Sequence, residues 1–343
     1  MADLSDIQKR KNDHIDITLK KDVRSALSNG FDLFTFQHCA LPEIDLAEVT
    51  INTVFLGFSM NAPIMISSMT GGTIEGDRIN RNLAEAAQEM KIAMGVGSQR
   101  AQIESGDKPD SSQLRKIAPS IPLFANLGAV QLNYGFTIEE CKKAVDLIEA
   151  DGLILHLNPL QEALQKEGQT NFKGLSAKIE QVCSQIDVPV IVKEVGWGIS
   201  ASIARRLVDL GVAVIDVAGA GGTSWSEVEK YRASDKKFFE ISSEYKDWGI
   251  PTAIAVRDVR NVLPDMPIIA SGGLRNGMDL AKAIALGASI GGFAGRLLKA
   301  ASESTDQVIA LIDQISLELR ITMFAAGAGN VKDLSNITLN YRE

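Results

Sequence analysis

The sequence has 343 residues, of which 45% are apolar and 23% are charged, and its formal net charge is −8 with an isoelectric point near 5.1. These values are typical of a globular protein with a sizeable core, and the acidic balance argues against a broad nucleic-acid-binding surface. The three cysteines, Cys39, Cys141 and Cys183, are odd in number and widely spaced, which excludes a disulfide framework and a zinc site.

The N-terminal extension, residues 1–62, precedes the first predicted strand and begins with polar and charged residues. This start does not have the pattern of a signal peptide, and no apolar run approaches the roughly 20 residues of a membrane span, so we expect a cytoplasmic protein. The segment "KRKNDHID" contributes Lys9, Arg10, Lys11 and His14. It is either a solvated surface tract or a basic arm that closes over an anionic substrate.

Eight short apolar runs follow, separated by stretches whose apolar residues recur at three and four positions. Strands that are apolar on both faces and alternate with helices indicate a parallel sheet, and eight such units predict a closed (β/α)₈ TIM barrel over residues 63–343. The runs are "PIMISSM" (63–69), "IAMGVGS" (92–98), "PLFANL" (122–127), "GLILHL" (152–157), "PVIVKEV" (189–195), "AVIDVAG" (213–219), "PIIASG" (267–272) and "SIGGFAG" (289–295).

A long polar insertion, residues 220–250, comes after the sixth predicted strand. The carboxyl ends of barrel strands carry the active site in this fold, so we expect the insertion to form a lid or a rim there rather than a separate domain.

Polar residues stand at nearly every predicted strand end, where barrel enzymes place their chemistry. The last two ends indicate a phosphate site, because glycine lets backbone N–H groups approach an anion in the loops after strands seven and eight. The residues concerned there are Gly272, Gly273, Arg275, Ala294 and Gly295.

Lys193 is either a solvated lysine or a group facing an anion or an electron-rich ring, and the role of Asp216 in the sixth strand stays open.

The stretch "HLNPLQE", residues 156–162, allows two interpretations. Asn158 followed by Pro159 and an acid in the first turn is typical of a helix start. However, His156 and Asn158 leave the same face of the strand, and their side chains could hold phosphate oxygens. In that interpretation Glu162 holds Mg²⁺ that bridges to a diphosphate.

These pieces together resemble the FMN-dependent type 2 isopentenyl-diphosphate isomerases. The resemblance spans nearly the whole chain in the family's order, and the clearest departure from it is Val217-Ala218. The matching segments are "RKNDH" (10–14), "MTGGT" (69–73), "GVGSQR" (95–100), "NLGAVQL" (126–132), "HLNPLQE" (156–162), "KEVGWGIS" (193–200), "GAGGTSW" (219–225), "GGLRNG" (272–277) and "AGR" (294–296).

The resemblance implies an isomerase that converts isopentenyl diphosphate to dimethylallyl diphosphate with reduced FMN and Mg²⁺, with NADPH as the reductant. It implies a small-molecule diphosphate substrate, no nucleic-acid or membrane partner, and a homo-oligomer, a tetramer or an octamer. The long C-terminal pattern of residues 306–328 is then either an interface helix or the eighth barrel helix.

The resemblance also implies a role for individual residues. Gln161, Lys193 and His156 would be catalytic, and Glu162 would bind the metal. FMN would contact Ser68, Met69, Thr70, Ser98, Asn126, Lys193, Thr223, Gly272, Gly273, Leu274, Arg275, Ala294 and Gly295. The substrate would contact Arg10, Lys11, His14, Ser98, Gln99, Arg100, His156, Asn158 and Gln161.

Three other functions remain as alternatives. A 2-hydroxy-acid oxidase needs a base, and the late strand ends contain no histidine. A dehydrogenase of the inosine-monophosphate type needs a cysteine after strand six, and "GAGGTSW" has none. A non-catalytic phosphate-binding barrel would have no reason to place Gln161 and Glu162 beside His156 and Asn158.

Overall fold

The computed structural model describes residues 4–69, 73–105 and 113–342, with side chains from Lys9 onward. The helices are α1 Leu4–Lys20, α2 Ile74–Met90, α3 Arg100–Ser105, α4 Leu114–Ile117, α5 Ile138–Leu147, α6 Pro159–Leu164, α7 Leu175–Gln185, α8 Ala201–Asp209, α9 Trp225–Arg232, α10 Lys236–Ser243, α11 Thr252–Val262, α12 Gly277–Ala285, α13 Gly295–Glu303, α14 Thr305–Ala326 and α15 Val331–Ser335. The strands are β1 Phe34–Thr35, β2 Thr53–Phe55, β3 Phe58–Met60, β4 Ile64–Ile66, β5 Ala93–Gly95, β6 Leu123–Gly128, β7 Gly152–His156, β8 Val190–Lys193, β9 Val214–Asp216, β10 Ile268–Ser271, β11 Ile290–Phe293 and β12 Asn340–Tyr341.

Strands β4 to β11 form a closed parallel barrel in which each strand pairs with the next and β11 returns to β4. Seven of the eight predicted apolar runs contain one of these strands and the third, 122–127, overlaps β6, which extends one residue further, so the predicted (β/α)₈ barrel is confirmed. The strands are buried on both faces because helices cover the outside and side chains fill the interior. Burying one Ile or Leu side chain, such as Ile154 in the middle of β7, contributes about 1.5–3 kcal/mol to folding.

The helices follow from the sequence in the same way, as α2 illustrates. The Thr73 side chain caps the first turn by accepting from the backbone N–H of Gly76, and the helix ends at Lys91, which has a left-handed φ of 50°. Ile79, Leu83 and Ala87, spaced by four residues, form its buried face.

The long C-terminal pattern forms α14, which packs between α12 and α2 and so completes the ring of helices around the barrel. It begins at the Ser304 cap and ends at Gly327, whose φ of 78° suits glycine. The pattern is therefore a barrel helix. None of the helices in the described part of the chain combines the length and the apolar character that crossing a bilayer requires.

The two predicted departures from the barrel repeat lie near each other. In the N-terminal extension, α1 contacts α2, α3, α9 and α13, while the β2–β3 hairpin places Phe55 edge-on to Phe124, near the amino end of β6. The insertion 220–250 contains α9 and α10, and α9 packs against both α1 and α6. The α1 and α9 helices thus meet beside the carboxyl ends of the barrel strands.

Candidate functional site

A cavity of about 480 Å³ opens at the carboxyl end of the barrel. Its volume is within the range of ordinary small-molecule sites. All the predicted site residues that the structure describes line this cavity, with the exception of Gln99. Thr70, predicted to contact the flavin, lies outside the described residues. The basic segment of the N-terminal extension contributes Arg10, Lys11 and His14 to the cavity wall, so it is not a fully solvated tract.

Gln99 is turned away from the cavity and is only 1% exposed. Its Nε2 donates to the Ala144 carbonyl at 2.9 Å, and its Oε1 accepts from the backbone N–H of Asn126 at 2.9 Å. The neighbouring Ser98 and Arg100 both line the cavity, and the residue between them points the other way. The structure therefore does not bring Gln99 together with the predicted diphosphate residues, and its side chain connects β6 and α5.

His156 ends β7 with its ring held by an amide. Its Nδ1 lies 2.8 Å from Asn126 Oδ1, and because an amide oxygen can only accept, Nδ1 carries the proton. Burial, followed by the positive charges of Lys193 and Lys11, lowers the pKa of His156 to about 3. At neutral pH the imidazole is therefore neutral, with a lone pair on Nε2.

Asn158 stands at the N-cap position of α6, followed by Pro159 at the first helical position, but its side chain does not cap the helix. Its Nδ2 instead donates to Glu162 Oε1 at 2.8 Å and to Gln161 Oε1 at 3.1 Å. Its own Oδ1 is buried with no hydrogen-bond partner. The helix-start interpretation is therefore right for the backbone, while the side chains of this turn are arranged toward one another and the cavity.

Glu229 in α9 belongs to the same arrangement, although no pattern in the sequence indicates it. Its side chain is 1% exposed, and Oε1 lies 3.0 Å from His14 Nε2 and 3.3 Å from Gln161 Nε2. Oε2 accepts from Arg232 Nη1 at 2.5 Å. Burial alone would raise the pKa of Glu229, but the hydrogen bond from His14 and the charge of Arg232 hold the pKa below its usual value. The Glu229 carboxylate therefore orients the Gln161 amide through its hydrogen bond to Nε2.

Lys193 ends β8 at the cavity floor, opposite Asp216 in the register of β8 and β9. Its Nζ donates to the Glu194 carbonyl at 2.6 Å. Asp216 is fully buried, accepts from Ser271 Oγ at 2.6 Å, and keeps Oδ2 without a partner. Burial raises the pKa of Asp216, and the charge of Lys193 opposes that rise. Asp216 faces Lys193 but does not itself line the cavity.

The glycine-rich side of the cavity is made by the loops after β10 and β11. Gly272 and Gly273 have φ values of 102° and 76°, and a Cβ on Gly273 would lie 2.4 Å from the Gly221 carbonyl, so only glycine fits there. Helix α13 begins at Gly295 with no side chain capping its first N–H groups. Exposed backbone donors at the start of a nine-residue helix are suited to an anion.

Two orphaned hydroxyls indicate that this cavity receives a polar ligand. Ser67 Oγ and Ser68 Oγ, at the end of β4, are both buried without a hydrogen-bond partner, and both residues line the cavity. Buried polar atoms are nearly always hydrogen-bonded, so these two hydroxyls and Asn158 Oδ1 are the atoms that a bound polar molecule would pair with.

Glu162 is the only carboxylate among the described residues that line the cavity. Its Oε2 accepts from the backbone N–H of Gln169 at 2.6 Å. Within residues 4–69, 73–105 and 113–342, no group of three or more acidic, histidine or cysteine side chains could hold a metal ion. A cation at Glu162 would therefore take most of its oxygen ligands from a bound substrate and water, as Mg²⁺ does in phosphate sites.

Curated proteins that resemble this chain over almost their whole length are named isopentenyl-diphosphate delta-isomerase. The relative from Nostoc is 48% identical over 98% of this chain and 96% of its own, and the one from Rickettsia africae is 52% identical over 95% of each. The chain belongs to the isopentenyl-diphosphate delta-isomerase family. The relative from Oceanobacillus iheyensis, 49% identical over 96% of this chain and 95% of its own, agrees.

A family model described as FMN-dependent dehydrogenase matches residues 146–341 of this isomerase-family chain. Among solved structures, a lactate oxidase of Pediococcus acidilactici has a TM-score of 0.70 at 17% identity and covers 100% of this chain and 95% of its own. A mandelate oxidase has a TM-score of 0.66 at 16% identity and covers 100% of this chain and 99% of its own. At that identity these two structures establish the barrel fold alone.

Proposed function

We propose that this protein converts isopentenyl diphosphate to dimethylallyl diphosphate with the help of reduced FMN and Mg²⁺. The observation that carries this proposal is that a single cavity contains two places for anions. The glycine loops after β10 and β11 form one, and Arg10, Lys11 and Arg100 surround the other, on the side of β5 and β7. A cofactor with one phosphate and a substrate with a diphosphate need this arrangement.

The residues fit FMN at the glycine side. The backbone donors of Gly273 and of the first turn of α13 would hold the cofactor phosphate, and the unpaired Ser68 hydroxyl would meet a polar edge of the flavin ring. Lys193 at the floor would place a positive charge beside that ring. When bound, reduced FMN supplies a central-ring nitrogen that can exchange protons and an electron-rich ring that faces positive charge.

The residues on the other side fit a diphosphate with Mg²⁺. Lys11 Nζ, which lies 3.0 Å from the Ser98 carbonyl, and the guanidinium groups of Arg10 and Arg100 would bind phosphate oxygens. Glu162 would supply the protein ligand of Mg²⁺. His156 and Asn158, on the same strand end, would contact the remaining oxygens.

Gln161 is proposed to lie beside the alkene of the bound substrate. A neutral amide is too weak a base to act alone, but Gln161 is held between Asn158 and Glu229, so its orientation is fixed before substrate binds. The isomerisation adds a proton at one carbon and removes one from another, and positive charge develops between the two. A cavity that excludes water and presents oriented dipoles stabilises that charge.

The function is tested by isolating the protein, recording its absorbance, and assaying the anaerobically reduced holoenzyme with isopentenyl diphosphate and Mg²⁺. We expect a yellow protein that, once reduced, forms dimethylallyl diphosphate. A colourless protein that isomerises fully without flavin would overturn the proposal, and so would a flavoprotein that oxidises a 2-hydroxy acid and leaves the diphosphate unchanged. NADPH as the reductant, the cytoplasmic location and the homo-oligomeric state stay predictions.

A further inference from the structure

The segment Gln165–Gln169, which we name the 165–169 loop, connects the charged groups on the proposed diphosphate side of the cavity. Gln165 Oε1 accepts from Arg10 Nη1 at 3.1 Å, and Gln169 Oε1 accepts from Arg100 Nη1 at 3.1 Å. The backbone N–H of Gln169 donates to Glu162 Oε2 at 2.6 Å. Two arginines and the carboxylate of Glu162 are therefore held by one short loop.

The path of this loop is fixed by Gly168. A Cβ on that residue would lie 1.7 Å from the Glu162 carbonyl oxygen, so no other residue fits without moving the chain. The turn is closed by the backbone N–H of Gly168, which donates to the Gln165 carbonyl at 3.1 Å. Because the loop packs this closely against α6, the positions of its two glutamines follow the position of Glu162.

The two glutamines orient arginines without neutralising them. Among the described residues no carboxylate forms an ion pair with Arg10, and its guanidinium is held through the neutral amide of Gln165. Arg100 also pairs with Glu104 at 2.9 Å, but the side of its guanidinium toward the loop is again held by an amide oxygen. An amide oxygen fixes geometry as a carboxylate would, while the positive charge stays available to an anion.

A second hydrogen bond orients the Gln169 amide, because its Oε1 also accepts from Gln131 Nε2 at 2.7 Å. Gln131 lines the cavity from the segment after β6. A chain of two hydrogen bonds, from Arg100 to Gln169 and from Gln131 to Gln169, thus connects Arg100 to the segment after β6.

We infer that Gln165 and Gln169 are positioning residues for substrate, which hold Arg10 and Arg100 in place for a Mg²⁺–diphosphate group and owe their effect to being uncharged. The inference rests on the proposed function and extends it from the groups proposed to bind the diphosphate to the loop that orients them, of which Gln165 also lines the cavity. The decisive variant is Gln165→Glu, which keeps the shape of the side chain and an acceptor oxygen for Arg10 but adds a negative charge.

The test compares Gln165→Ala with Gln165→Glu in the FMN-loaded protein. Inorganic pyrophosphate is titrated calorimetrically at saturating Mg²⁺, and KM and kcat for isopentenyl diphosphate are measured alongside. We expect Gln165→Ala to weaken pyrophosphate binding about fivefold through lost orientation, and Gln165→Glu to weaken it by about tenfold or more, because the new carboxylate neutralises Arg10. KM should rise in parallel, with kcat and FMN content much less affected.

Gln169→Ala should also weaken pyrophosphate binding, through Arg100. Asn133→Ala is the matched control, because Asn133 Nδ2 donates to the Asn171 and Lys173 carbonyls just beyond the loop and touches neither arginine. It should bind pyrophosphate as the unaltered protein does.

A purely structural role for the loop predicts the opposite order, with the isosteric Gln165→Glu close to the unaltered protein and Gln165→Ala worse. That result would overturn the inference and leave the proposed function standing. If the unaltered FMN-loaded protein bound no Mg²⁺–pyrophosphate, the proposed function itself would fall.

Discussion

Lys193 and Asp216 are register partners in the adjacent parallel strands β8 and β9, so a lysine on the cavity floor faces a fully buried carboxylate. The same row continues to His156, the register partner of Lys193 in β7. Three ionisable groups thus lie side by side at one level of the barrel. Their charges are coupled. Burial and then the charge of Lys193 lower the pKa of His156, and the same charge opposes the rise that burial causes in the pKa of Asp216.

Lys193→Ala should lose FMN and stability together. Without the lysine, only the hydrogen bonds from Ser271 and from the backbone of Ala218 oppose the rise in the pKa of Asp216 that burial causes, and the free energy of unfolding at neutral pH should fall by about 1–3 kcal/mol. A raised carboxyl pKa in the folded state means that the folded protein binds the extra proton. The loss should therefore shrink as the pH is lowered.

The check is urea denaturation at several pH values, with the FMN-to-protein ratio measured after gel filtration. Lys193→Ala combined with Asp216→Asn is the control, because an amide carries no buried charge, and it should recover part of the stability without recovering FMN. A double variant that is no more stable than Lys193→Ala would show that the two residues are not coupled.

Diphosphate binding should draw a proton onto His156. The free imidazole is neutral at pH 7, since its pKa is lowered to about 3, and its Nε2 can donate to a phosphate oxygen only after protonation. A bound anion favours the charged ring and raises this pKa. Calorimetric titration of Mg²⁺–pyrophosphate in buffers of different ionisation enthalpy should show uptake of up to about one proton more than in His156→Gln.

Subtracting the proton uptake measured with His156→Gln cancels the protons that pyrophosphate itself exchanges on binding. Equal proton uptake in the two proteins, with binding retained, would mean that His156 stays neutral and contacts the diphosphate in some other way, or not at all.

Lys11 should make substrate affinity depend on pH above neutrality. Burial, followed by the charge of Arg10, lowers the pKa of Lys11 to about 8. A lysine is charged only below its pKa, so the free protein loses this contact as the pH rises from 7 to 9, and KM should increase by up to about tenfold per pH unit beyond 8. Lys11→Arg should flatten that part of the KM profile, because arginine stays charged. The same slope in both proteins would assign the pH dependence to another group.

The barrel could be predicted because its physical cause is local. A parallel strand buried on both faces gives a continuous apolar run, and each such run was followed by a helical pattern. The ends of those strands then identified most of the cavity, because the fold brings them to one face. The direction of the Gln99 side chain does not follow from strand parity, because β5 ends at Gly95 and α3 begins at Arg100, so residues 96–99 lie outside the strand.

Glu229 could not be predicted in the same way. Its contact with His14 joins residues 215 positions apart and exists because α1 meets α9 beside the cavity. Nothing in the local pattern of either helix fixes how they cross. The loss of the side-chain cap at Asn158 has a local origin instead, because the Asn158 amide donates to Gln161 and Glu162 within its own turn.

Glu162→Gln separates the two interpretations of "HLNPLQE". The change preserves size and removes one charge, but it keeps only one acceptor oxygen. Asn158 Nδ2 donates to Oε1 and the Gln169 backbone N–H donates to Oε2, so one of these two hydrogen bonds is lost in the variant. As a first-turn acid alone, Glu162 would contribute a few tenths of a kcal/mol, about 0.3–1 kcal/mol at most, and activity would stay nearly intact. As a ligand of Mg²⁺, its loss should shift the Mg²⁺ titration and lower turnover by orders of magnitude, while FMN content stays unchanged.

Gln161→Ala is the matched variant for this experiment, because it alters the neighbouring side chain in the same turn. It should keep the Mg²⁺ response and still lose turnover, since Gln161 is proposed to lie beside the alkene and not to touch the metal. Melting temperature, FMN content and Mg²⁺ titration, measured on both variants, distinguish metal binding from folding. Near-normal turnover with an unchanged Mg²⁺ response in Glu162→Gln would reduce the carboxylate to a helix-start acid, and the metal would then need ligands from the substrate and water alone.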